Sequence, residues 1–152
     1  MKQKRIVSIT ILSLLYVSVL PSDTQLTVPI SIGELIDKIT ILEIKSGTIK
    51  NLDKLANIRT EMGALLDILE QHITHTGTLA DLTAELLRTN KKLWDIEDAI
   101  REKEAKKEFD DEFIAIARSV YFTNDYRGKL KHDINLLTES CLVEEKQYTE
   151  YQ

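Results

Sequence analysis

Hydrophobic residues recur at spacings of three and four along four stretches of the chain, and each stretch predicts a helix. The first opens at Ser31-Ile32-Gly33-Glu34, which has the S-x-x-E form of a capping box. Pro29 lies just outside it, where helical backbone is disfavoured. Ile32, Leu35, Ile36, Ile39 and Leu42 form one stripe, while Ile41 and Ile44 fall off it. A helix apolar on more than one side belongs at the centre of a fold. Gly47 is expected to end it. Asn51 or Asp53 caps the second helix, along which Leu55, Ile58, Met62, Leu65, Leu66 and Leu69 repeat until His72 to Thr78 breaks the pattern. The third starts at about Thr78 and runs through Leu79, Leu82, Leu86, Leu93 and Ile100 to about Lys107. Asp110 and Asp111 open the fourth, whose inward side carries Phe113, Ile116, Ala117, Val120, Tyr121, Ile134 and Leu137.

Short connections between long helices predict antiparallel neighbours. The expected fold is all-α: a helical hairpin pair or an irregular four-helix bundle with coiled-coil character. With 5 Gly and 2 Pro in 152 residues, a turn-rich β fold is disfavoured. A hydrophobic fraction of 43% excludes disorder as the main state. The tail from Leu142 to Gln152 is mostly polar, with Tyr148 and Tyr151 placed to pack back.

The first residues follow a different pattern. Lys2, Lys4 and Arg5 precede an apolar run from Ile6 to Leu20, which Pro21, Ser22 and Asp23 end. These are the parts of a secretory signal, and the run is short of the ~20 residues of a spanning helix. Residues 1–22 are therefore expected to be a signal peptide or N-terminal anchor, and 23–152 a single helical domain. An exported or envelope-associated location follows, with a cytoplasmic one as the alternative. Contact with a membrane is expected only through an uncleaved leader. Without the leader's three cations the chain has 17 Lys and Arg against 25 Asp and Glu, a net of −8. Such an acidic body argues against nucleic acid as a partner.

Polar residues interrupt the third and fourth helices where apolar ones are expected. At about 100° per residue, Leu86, Leu93 and Ile100 fall within roughly 40° of Leu82, with Leu87 and Trp94 at roughly 120–140°. Asn90, Glu97 and Glu104 lie between those two rows, with Arg101 beside them. In the fourth helix, Asn124, Arg127 and Lys131 fall within the arc set by Phe113, Ala117 and Val120. Folding back near Phe109 brings the two sets together, Asn90 opposite residues near Gly128. Such groups must pair, reach a ligand or stay wet. A polar group that fixes helix register is the structural reading.

Several ordered motifs resemble one family. Ile30 to Lys45, Lys54 to Arg59, Leu93 to Arg101, Ala117 to Asp125 with Arg127, Lys131 and Asn135, and Leu142 to Lys146 with Tyr148 are similar to an uncharacterised bacterial family, domain of unknown function 6165. The resemblance runs from about Thr27 to Tyr148. It implies an all-helical domain with no established activity. Its pattern includes Trp94, Glu97, Arg101, Asn124, Asp125, Arg127 and Lys131.

Other chemistry is sparse. His72 and His75 are more simply solvated than metal ligands, and no metal site is expected. Cys141 is a single thiol without a neighbouring His. GxGxxG, Walker, GxSxG and HExxH motifs are absent. The leading expectation is a protein-interaction or scaffold module, with a homo-oligomer or protein partner and no cofactor. The alternative is an enzyme or receptor for an anionic small molecule, of nucleotide or sugar-nucleotide type. It would use Asn90, Glu97, Arg101, Glu104, Asn124, Asp125, Arg127 and Lys131. Only there would Mg²⁺ enter, on Glu97, Glu104 and Asp125.

Overall fold

The computed structural model describes residues 26–74 and 76–147. They form four helices: α1 (Ile32–Thr48), α2 (Leu52–His72), α3 (Gly77–Lys106) and α4 (Asp111–Leu137). No strand occurs among the described residues. Residues 1–22, expected to be a signal peptide or anchor, lie outside them, as do 23–25, His75 and 148–152.

Each helix starts at a polar cap. The side chains of Ser31, Asn51, Thr76 and Asp110 accept a hydrogen bond from the amide three residues on, satisfying one orphan donor apiece. The capping box at Ser31 closes on one side only. Ser31 Oγ takes the Glu34 amide at 3.1 Å, but the Glu34 carboxylate turns to Lys131 instead. Gly47 does not end α1, which continues to Thr48.

Left-handed residues close the two long helices. Lys107 ends α3 at φ 59°, with the Glu108 amide returning to the Lys103 carbonyl. Glu139 follows α4 at φ 51°, and the Ser140 amide returns to Asn135 O at 2.9 Å. Both are the six-to-one closure of a Schellman motif. The second one brings Ser140 back over the start of α1, where its Oγ accepts from the Ile32 amide at 3.2 Å.

As its two-sided apolar pattern predicts, α1 is central: it packs against α2, α3 and α4, while α2 packs against α1 alone. The core joins Leu35, Ile36 and Ile39 of α1, Leu69 of α2, Leu79 and Leu86 of α3, and Leu130 and Ile134 of α4. It sits at one end of the long helices. From Lys91 through Phe122 no residue is buried. There α3 and α4 pack on each other and, among the described helices, on no third, joined near the tip by Lys103, which reaches Asp110 at 2.9 Å and Glu112 at 2.5 Å. This stretch is a two-helix arm, about 24 Å long by helical rise along α3. No described helix is long and apolar enough to cross a membrane.

Candidate functional site

The polar residues of the core meet on α1. Gly33, Asp37, Thr40 and Ile44 follow one another at spacings of four, three and four, and all four are buried. This row faces α3 and α4. Asp37 is fully buried, and both of its carboxylate oxygens are used. Oδ1 accepts from Asn90 Nδ2 at 2.8 Å and from Arg127 Nε at 2.9 Å, and Oδ2 accepts from Arg127 Nη2. Asn90 Nδ2 also donates to Thr40 Oγ1 at 2.9 Å, and that hydroxyl donates to Asp37 O at 2.8 Å. Arg127 Nη1 donates to Asn124 Oδ1 at 3.2 Å. Three helices are thus tied by one carboxylate. The Asp37 carboxylate holds the Arg127 guanidinium above its ordinary value, against the opposing effect of burial.

One turn further along α4, Lys131 is buried and contacts Glu34 Oε2 at 2.5 Å and Glu144 Oε2 at 2.9 Å. Burial pulls the ammonium down, but the two carboxylates outweigh it and hold Lys131 above its ordinary value. Beyond it, Asn135 Oδ1 accepts from the Gly33 amide at 2.6 Å, while its Nδ2 is buried with no partner among the described residues. Gly33 is required here: a Cβ would stand 2.4 Å from Lys131 O and 2.9 Å from Asn135 Oδ1. The segment after α4 crosses this end as a strap. Glu144 lies on Lys131, and Lys146 Nζ lies 3.0 Å from the position of a Cβ on Gly128.

Of the residues singled out from the sequence, Asn90 and Arg127 come together on Asp37, with Asn124 on Arg127 and Lys131 beside them. Asp125 is half-buried in a groove with Gly128, Lys129, His132 and the strap. Three others lie elsewhere. Glu97 pairs with Arg101 at 2.7 Å and Glu104 with Lys107 at 2.7 Å, all four exposed on the arm. The expectation that Glu97 sits among apolar neighbours fails because α1 ends short of that level, so the face it occupies is open to water. Nor do Glu97, Glu104 and Asp125 converge for Mg²⁺. Among the described residues no group of three or more His, Cys, Asp or Glu is placed to hold a metal.

Sequence reasoning missed Asp37, Glu34 and Thr40. The signal was present: Asp37 lies on the row shared by Gly33 and Ile44, on the side of α1 outside its main stripe. Chemically, the cluster is closed. Each cation has its own carboxylate, Arg127 on Asp37 and Lys131 on Glu34 and Glu144.

A family of unknown function (DUF6165) matches the chain over residues 26–151, which takes in all four helices. No curated protein and no solved structure matches the chain.

Proposed function

The chain belongs to DUF6165, a family of unknown function, and we propose that it acts as a protein-interaction or scaffold module whose docking element is the α3–α4 arm. In this reading the two helices run antiparallel as a coiled hairpin and take up a further helix, from a second copy or a protein partner. The observation that carries it is the arm's missing third layer. Leu93, Trp94, Ile96, Ile100, Phe113, Ile116 and Val120 are only half-buried between two helices, and Ile114 is 54% exposed. Stable helical layers bury such faces against another element. Elsewhere in the chain α1 provides that element; along the arm nothing among the described residues does.

The closed polar cluster favours the same reading. A small anion at Arg127 or Lys131 would first have to displace Asp37, Glu34 or Glu144, so recognition of an anionic molecule there ranks second. The test is association of the full chain by light scattering and by retention of partners on an immobilised bait. Ile96 and Ile116 line one groove of the arm with Ala99. Ile96→Glu with Ile116→Glu should abolish association while helicity is kept. A chain that is monomeric at high concentration and retains no partner would overturn the proposal.

A further inference from the structure

We propose a second site: the groove between α3 and α4 at the root of the arm binds a phosphate ester carried on a flat ring, of nucleoside monophosphate size. The groove has a volume of about 290 Å³, close to the lower end of ordinary ligand sites, ~300–1,000 Å³. Its base holds Thr89 and Thr123, which are 4% and 6% exposed. Helical threonines often return their hydroxyl to a carbonyl of the preceding turn, and Thr48 and Thr60 do so. Thr89 and Thr123 do not, and neither hydroxyl has a partner among the described residues. Neither oxygen is among the fully buried polar atoms left without a partner, so both hydroxyls open on the groove that the two threonines line.

The rim supplies matching charge. Lys92 is exposed and makes no ion pair among the described residues. Arg88 is held to Glu85 through Nε at 2.9 Å and Nη2 at 2.5 Å, which leaves Nη1 uncommitted. In a chain of net charge −5, two cations with one acid invert the local sign. An ammonium, a guanidinium edge and two hydroxyls suit the oxygens of a phosphate. Tyr126, 45% exposed, forms an aromatic wall on which a ring can stack, beside Phe122, whose ring already meets Tyr121 and Arg118. Tyr126 also donates to Glu85 Oε1 at 3.3 Å, which fixes the acid where sugar hydroxyls would reach it. This site uses none of the cluster around Asp37; it shares Arg88 and Lys92 with the arm groove that Ile96 and Ile116 line.

The experiment is an amide NMR titration of the full chain with adenosine monophosphate, adenosine and inorganic phosphate. The nucleotide should shift amides of residues 85–92 and 122–126, and adenosine and phosphate should each bind at least about tenfold more weakly. Lys92→Met, an exposed change that leaves the core alone, should weaken nucleotide binding by about tenfold. Thr89→Val with Thr123→Val should do the same. Three outcomes would overturn the proposal: no shift in these amides, unchanged binding by Lys92→Met, or phosphate alone binding as well as the nucleotide.

Discussion

Asp37 of α1 and Arg127 of α4 form an ion pair across 90 residues of sequence, and the two ends differ in their access to water. The Asp37 side chain is 1% exposed and that of Arg127 24%. Removing the cation strands a carboxylate that cannot reach water; removing the acid leaves a guanidinium that can turn outward. Arg127→Ala should therefore cost about 3–5 kcal/mol. Asp37→Ala should cost less, about 2–3 kcal/mol. Replacing both by apolar residues of similar volume, Asp37→Leu with Arg127→Met, should recover most of the loss. Urea denaturation of the four proteins measures this. If both single variants lose under about 1 kcal/mol, the pair is not structural and an anion at Arg127 becomes the better reading.

Helix periodicity revealed most of the fold because the caps and stripes act locally. Ser31, Asn51, Thr76 and Asp110 each bond an amide three residues away, so a short window contains the signal. The polar cluster was half legible for the converse reason. Asn90, Arg127 and Lys131 stood out as polar groups on apolar arcs, but the acids they meet on α1, Asp37 and Glu34, lie 53 to 97 residues away. A two-helix view of α3 and α4 assigned the acidic role to Glu97 instead. The periodicity of one helix does not say how far its neighbour extends, and Glu97 lies beyond the reach of α1.

Glycine substitutions should separate the α1–α4 contact from simple helix propensity. At Gly33 a methyl group would meet backbone at 2.4 Å, and backbone cannot give way as a flexible side chain can. The propensity gain of about 1 kcal/mol is outweighed. Gly33→Ala should destabilise by about 1–3 kcal/mol, as overpacking does. Gly63 in α2 is exposed, and a methyl group there would have nothing within 4 Å. Gly63→Ala should stabilise by about 0.4–1 kcal/mol. Thermal unfolding of both variants checks the pair. Equal shifts of one sign would refute the close approach of α1 to α4.

Docking of the strap should depend on pH at both extremes and not between them. The Lys131 ammonium holds Glu144 below its ordinary value of 4.5, with burial opposing. Its contribution is present above that value and lost as pH falls through the lowered one. Lys131 is held above its ordinary value of 10.5 by Glu34 and Glu144, against the pull of burial. Its contribution is present below 10.5 and lost as pH rises through the raised value. The order of residues 141–147, read from backbone NMR relaxation, should therefore be level through the neutral range and fall in acid. Glu144→Gln should remove the acid limb. A strap still equally ordered once acid has protonated Glu144 would show that this contact does not hold it.

Stability should be uneven along α3 and α4. Their inner halves contain Leu79, Leu86, Leu130 and Ile134, packed on α1, whereas the arm from Lys91 through Phe122 contains no buried residue. Segments with few buried apolar contacts open at lower free energy than the core they leave. In the isolated chain, amides of the arm should exchange with solvent well before those of residues 79–90 and 123–135. Lys103 works against this at the tip. Its side chain is only 14% exposed, and Asp110 and then Glu112 hold its ammonium above the ordinary range. Lys103→Met should speed exchange in the arm by about tenfold and leave the inner halves unchanged. Association should slow exchange in the arm first, because a docked helix completes its missing layer. An isolated arm that exchanges as slowly as the inner halves would mean that two helices suffice there, and the argument for a docking role would fail.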